Sequence, residues 1–158
     1  MRVGVQETGP VFAAPTCFTP FPVFAGRNRV RTNPGGTMVR GVRGAVTVES
    51  NTAEAIRSAA HRLLTTIIDR NGIEPEQIAS VVFSVTKDID AESPAYGVRQ
   101  MGLVAVPLFS LQEMEVPGSL ARCVRVLVHI NTDKSQDEIR HVYLDGAVVL
   151  RPDIAGRE

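Results

Sequence analysis

The sequence predicts an α+β fold, a mixed β-sheet carrying one long and one short helix. Two observations carry this expectation: a single strong helical period lies between short β-branched runs, and 158 residues suffice for one core but not for two. The first 37 residues stand apart. They hold Pro10, Pro15, Pro20, Pro22 and Pro34, five glycines and one acidic residue, Glu7. Proline fixes φ and removes a ladder donor, and no period survives in this stretch. It reads as a disordered extension or as the product of a mis-assigned start, with Met38 the true first residue. Arg27, Arg29 and Arg31 in an acid-poor context are the only hint of a targeting peptide.

The domain is expected over residues 38–158 and begins with an extended segment, 39–48, bearing Arg40 and Arg43. The long helix follows. Asn51 is placed to cap it, with Glu54 three residues later, while Ile56, Ala59, Ala60, Leu63, Leu64, Ile67 and Ile68 recur at intervals of three and four. Gly72 supplies the left-handed stop. Residues 78–86 (IASVVFSVT) read as a buried strand, Pro94 opens a short helix towards Met101, and residues 103–108 read as a third strand. Residues 123–130 (CVRVLVHI) form the most β-branched run. Two last strands, 141–144 and 147–150, are expected to flank an Asp145-Gly146 hairpin turn.

Composition removes whole classes of function. Basic and acidic residues balance at 17 each without a basic block, so neither nucleic acid nor an anionic membrane is an expected partner. Residues 11–25 are apolar but broken by prolines, which rules out the helix of about 20 residues that spans a bilayer. Cys17 and Cys123 are isolated, which points to a reduced, cytoplasmic protein without a disulfide framework or zinc site. There is no GxGxxG fingerprint, Walker loop or GxSxG elbow, and His61, His129 and His141 share no ligand spacing. His141, beside Arg140 at a strand start, reads as structural. No metal and no cofactor are expected.

What remains is a set of arginines in unusual places. Arg125 lies within the β-branched run, on the face opposite Val124, Val126 and Val128. A buried guanidinium is costly unless an anion satisfies it, which leaves open an internal salt bridge or an anionic ligand. Arg43 and Arg99 pose the same question, and Glu113 could partner any of the three.

Five collinear segments add a resemblance. RGVRGAVTVE (40–49), SPAYGVRQ (93–100), VPLFSLQEM (106–114), RCVRVL (122–127) and QDEIRHVYLDGAVVLRPD (136–153) together resemble the monofunctional chorismate mutases of the trimeric pseudo-α/β-barrel class. The resemblance implies a homotrimer with active sites at subunit clefts, acting on chorismate to give prephenate in aromatic amino-acid biosynthesis. By motif position, Arg125 would face the ether oxygen of the breaking bond, Arg43 a substrate carboxylate and Glu113 the ring hydroxyl, with Tyr143 adding a hydrogen bond. Leu108, Phe109, Ser110, Leu111 and Gln112 would line the pocket. Arg99 would stand at its rim with Ala95 nearby, and Leu150 and Arg151 would belong to a closing C-terminal segment. Ser93 and Tyr96 depart from the aromatic residue and lysine frequent in the family, and both positions lie at the mouth. Ser110 replaces a cysteine seen in some relatives.

The implied reaction is a sigmatropic rearrangement that needs no nucleophile, metal or cofactor, in keeping with the missing motifs. It needs a compact dianion held in its reactive conformer and stabilisation of charge growing on an ether oxygen, both of which suit arginine. Two other readings remain. A trimeric imine or enamine hydrolase would share the fold, and a catalytically dead dicarboxylate sensor would tolerate the altered mouth.

Overall fold

A computed structural model of the protein describes residues 36–154. The expectation for the leading 37 residues therefore lies almost wholly outside the described residues. Five strands form one mixed sheet: β1 (Met38–Thr47), β2 (Ile78–Val85), β3 (Leu108–Gln112), β4 (Cys123–Thr132) and β5 (Val142–Leu144), in the order β3-β2-β4-β1-β5. β4 pairs antiparallel with both β1 and β2, whereas the outer pairs β1–β5 and β2–β3 are parallel.

The long helix α1 (Ala53–Asn71) and the short helix α2 (Pro94–Arg99) cover one face of this sheet. Its apolar stripe, Ile56, Leu63, Leu64 and Ile67, meets Val42 and Val46 of β1, Val81 and Phe83 of β2, and Val124, Val126 and Val128 of β4. Burial drives this arrangement, since each such side chain is worth about 1.5–3 kcal/mol in transfer alone. Two glycines permit the close approach. A Cβ on Gly44 would stand 2.8 Å from the Ile67 side chain, and one on Gly97 would run into the backbone carbonyl of Arg57, so β1 and α2 touch α1 through hydrogen atoms.

Helix α1 ends as the sequence predicts, with Gly72 at φ 58° in the left-handed region. Its start differs by one residue. Thr52, not Asn51, caps the helix by accepting the Ala55 N–H at 3.3 Å. Asn51 instead donates to Asp90 at 2.7 Å and accepts the Asp90 and Ala91 amides, tying the loop after β2 to the helix entrance.

Two further expectations are corrected. The strand expected at 103–108 forms at Leu108–Gln112. Pro107 accepts the Val81 amide at 2.9 Å through its carbonyl but has no N–H to carry the ladder further back, so the register with β2 starts at Val81 and Leu108, while Leu103 anchors the preceding turn in the core. The closing hairpin does not form either. Asp145 has a positive φ of 52°, but Gly146 lacks the second one that a type I′ turn requires, and 3₁₀ turns run over Asp145–Leu150 instead of a sixth strand. Tertiary contacts outweigh the local signal here. Ala147 is fully buried beside Cys123 and Tyr143, and the Gly146 N–H donates to Thr47 Oγ1 at 3.0 Å.

Those last contacts lie on the sheet face that carries no helix. Ala45, Cys123, Tyr143 and Ala147 form a second, small cluster there, roofed by Leu120, Leu150 and Ile154. Farther along the same face, at the β3 edge, Phe109 and Leu111 stay 61% and 47% exposed.

Candidate active site

Strand register places the charged residues on the helix-free face. Side chains paired across a ladder point the same way, so Tyr143, Ala45, Arg125, Ser84 and Leu111 form one row across β5, β1, β4, β2 and β3. The next row holds Arg43, Leu127, Val82 and Phe109, which sets Arg43 diagonally beside Arg125.

The small Gly44 and Ala45 leave a hollow between these larger residues. It measures about 190 Å³ and is lined by Arg43, Gly44, Ala45, Arg125, Val126, Tyr143, Leu150 and Arg151. Three guanidiniums therefore converge on one cavity. Arg125 forms an ion pair with Glu113, whose other carboxylate oxygen accepts from Ser84 Oγ at 2.7 Å. Arg151 is held by Asp153 through bonds of 2.9 and 2.8 Å, which raise its already high pKa. No carboxylate pairs with the Arg43 guanidinium among the described residues. The buried Tyr143 hydroxyl faces the Arg151 guanidinium, which interacts with it, and among the described residues it has no carboxylate or carbonyl partner. A cavity with a cation that no carboxylate pairs and a buried hydroxyl able to donate is equipped to take an anion bearing oxygen acceptors.

Two residues beside the cavity are poorly suited to nucleophilic or general-base work. Burial pushes the Cys123 thiol up, against the partial opposition of Arg125, so it is not a thiolate at neutral pH. His141 is held below its ordinary pKa, first by burial and then by the Arg43 and Arg151 charges, and its Nδ1 is occupied as an acceptor. A larger cavity of about 820 Å³, lined by Arg62, Arg122 and Asp145 among others, contains none of the expected site residues; its Arg62 already pairs with Asp145.

The residues singled out in the sequence fall into two groups. Arg43, Arg125, Tyr143, Leu150 and Arg151 meet at the cavity, with Glu113 attached through Arg125. Ser93, Ala95, Tyr96 and Arg99 lie on or just before α2, and Leu108, Phe109, Ser110, Leu111 and Gln112 make up β3. Ser93 and Ser110 join the two elements through hydroxyls 3.0 Å apart. At about 4.8 Å per strand, roughly 19 Å separates the β3 edge from β5. One chain does not bring both groups to one pocket.

Sequence reasoning passed over Ser84, which orients Glu113, and the small pair Gly44 and Ala45, which make the hollow. Period-two alternation in IASVVFSVT contained the signal for Ser84: Val81 and Phe83 face the core, so Ser84 faces away with Arg125.

A family model for chorismate mutase type I matches residues 39–154, which spans β1 to the end of the described chain. The chain belongs to this family. It is 52% identical over 118 residues to chorismate mutase AroH of Thermus thermophilus, covering 74% of this chain and 97% of that protein. Chorismate mutase AroH of Bacillus subtilis is 46% identical over 119 residues, covering 75% of this chain and 94% of its own length. A solved chorismate mutase from Clostridium thermocellum superposes with a TM-score of 0.69 at 46% identity, over 70% of this chain and 98% of that one. The mixed five-stranded sheet with its two helices is the chorismate mutase fold. Among the described residues, no helix is long and apolar enough to cross a membrane.

Proposed function

We propose that this chorismate mutase type I protein converts chorismate to prephenate, and that Arg43, Arg125, Glu113 and Tyr143 do the work. The observation that carries the reading is the cavity itself: three guanidiniums and the buried Tyr143 hydroxyl gather where a dianion would sit, and among the described residues no nucleophile and base are aligned there for covalent chemistry. Arg43 binds a carboxylate and limits the flexible substrate to its compact conformer. Arg125, steadied by Glu113, presents N–H groups to the ether oxygen as the carbon–oxygen bond breaks and the carbon–carbon bond forms. A guanidinium already oriented before the reaction stabilises the transition state more than the ground state, because no reorganisation is needed when the charge grows. Glu113 keeps a free lone pair for the ring hydroxyl, and Tyr143 donates to the substrate.

The full pocket is composite. The hollow of one chain is smaller than the roughly 300–1,000 Å³ of ordinary small-molecule sites. The helix-free face meanwhile leaves Phe109 and Leu111 exposed farther along, at the β3 edge. A homotrimer in which the β3 edge of one subunit meets the helix-free face of the next brings α2 and β3, with Ser93, Ala95, Tyr96, Arg99, Leu108, Ser110 and Gln112, to the arginine hollow. Leu150 and Arg151 then close over the substrate. The catalytic unit is residues 38–158. This agrees with the 118 residues that account for 97% of the Thermus relative. It works in the cytoplasm, consistent with a buried, free Cys123.

The decisive experiment follows the loss of chorismate absorbance and the appearance of prephenate with purified protein. Turnover without added metal or cofactor is expected. Hydrolysis of an iminopropionate with no action on chorismate would replace this reading by the hydrolase one.

A further inference from the structure

His141 stands one residue ahead of β5, where the parallel ladder between β1 and β5 has not yet begun: that ladder pairs Gly44, Ala45 and Val46 with Val142, Tyr143 and Leu144. The Arg43 amide just before it has no strand carbonyl to meet on that side. It donates instead to His141 Nδ1 at 3.1 Å. A backbone amide can only donate, so Nδ1 carries no proton and the ring is neutral with its hydrogen on Nε2. The ring is itself located from behind. Asn71 at the end of α1 donates to the Arg140 carbonyl and accepts the Arg140 amide, both at 2.8 Å, which pins the peptide leading into His141. A continuous path therefore runs from α1 through Asn71, Arg140 and His141 to the backbone of Arg43.

We propose that His141 is a positioning residue for Arg43, a neutral imidazole that extends the β1–β5 ladder by one bond and so aims the one guanidinium of the cavity lacking a carboxylate partner. The proposal rests on the chorismate mutase reading for its substrate. Burial acts most on the ring, followed by the two charged groups that face it, the cations Arg43 on β1 and Arg151 after the last turn; all three resist protonation. A protonated ring would lose the acceptor and add a third cation against Arg43. Because Arg43 binds a carboxylate present equally in ground and transition states, misaiming it raises KM more than it lowers kcat.

The test is steady-state kinetics with the full chain. His141→Leu should raise KM for chorismate about tenfold with kcat within about threefold, the size of effect expected from one lost hydrogen bond. His141→Asn, whose Oδ1 can occupy the acceptor position, should stay within about threefold of wild type in both constants. In an Arg43→Ala background His141→Leu should add almost nothing, since the two act as one unit. Wild-type KM should rise on acidification through the His141 titration, and that rise should vanish in His141→Asn. An unchanged KM in His141→Leu, additive effects in the double variant, or equal damage from Asn and Leu would overturn the proposal. If His141→Leu does not fold, the pH comparison between wild type and His141→Asn decides. Failure of wild type to act on chorismate would sink the functional reading instead. The positioning role then stands or falls on amide exchange at Arg43, expected to be faster in His141→Leu than in His141→Asn.

Discussion

Arg125 was open to two readings, an internal ion pair or a ligand for an anion, and its surroundings serve both. Glu113 takes part of the guanidinium, yet 33% of the Arg125 side chain remains exposed, and the residue lines the cavity. A fully buried pair would cost about 3–5 kcal/mol on losing one partner, whereas this one retains solvent and leaves Glu113 the Ser84 hydroxyl. Arg125→Ala is therefore expected to lower stability by about 1–3 kcal/mol. It should cost about 3 kcal/mol or more in transition-state stabilisation, a fall of at least about a hundredfold in kcat. Melting and turnover measured on one preparation check both. Titration gives a second residue-scale expectation. The folded-state pKa of His141 is depressed, so below its unfolded value of about 6.5 the unfolded chain takes a proton that the native chain resists. Stability is fully present above that pH and declines as pH falls through the folded value; His141→Asn should lose this limb in a series of urea midpoints. At saturating substrate, kcat should stay flat between about pH 6 and 9 without a large solvent deuterium effect, because the chemical step moves no proton.

Elements place these residues, and α2 shows how narrow the tolerance is. It is a single short helix, carrying Tyr96 and Arg99 outward, and it sits against α1 only because Gly97 has no side chain to meet the Arg57 carbonyl. The Arg57–Glu92 ion pair ties the segment leading into α2 to the same turn of α1. Gly97→Ala is expected to push α2 off α1, at about 1–3 kcal/mol of stability. If Arg99 stands at the mouth of a neighbouring site, the same change should raise KM for chorismate. Thermal melts and kinetics on that variant test both effects, and a destabilised protein with unchanged KM would remove α2 from the pocket.

At the scale of the whole molecule, two expectations concern the assembly and the chain ends. Phe109→Glu puts a charge into the exposed apolar edge of the helix-free face, where β3 would meet another subunit. Dissociation to monomers by light scattering should accompany loss of turnover, since each half-site would lack its complement. A chain beginning at Met38 should keep the mass of the full chain's assembly, the proposed trimer, and its kcat, because the family match starts at residue 39. Aggregation or loss of the trimer on that truncation would make the leading residues part of the fold or the interface.

Much of this was legible along the chain. The 3.6 period of α1 and its Gly72 stop, the β-branched β4 and the alternation that turned Arg125 away from Val124 and Val126 are local patterns, and local geometry determines which way they face. The site arginines were visible for the same reason: a charged residue inside an apolar strand violates its own pattern. Other features depended on partners distant in sequence. Thr52 displaced Asn51 as the cap because Asn51 was claimed by the loop at Asp90, and the Asp145-Gly146 turn yielded to burial of Ala147 beside Cys123. The convergence of Arg43, Arg125, Tyr143 and Arg151 on one hollow, the Ser84 bond to Glu113 and the His141 bond to the Arg43 amide likewise follow from strand order and register. A sequence shows the period of each strand, but only pairing decides which residues of different strands share a row, because that choice is made by the long-range packing of the whole sheet.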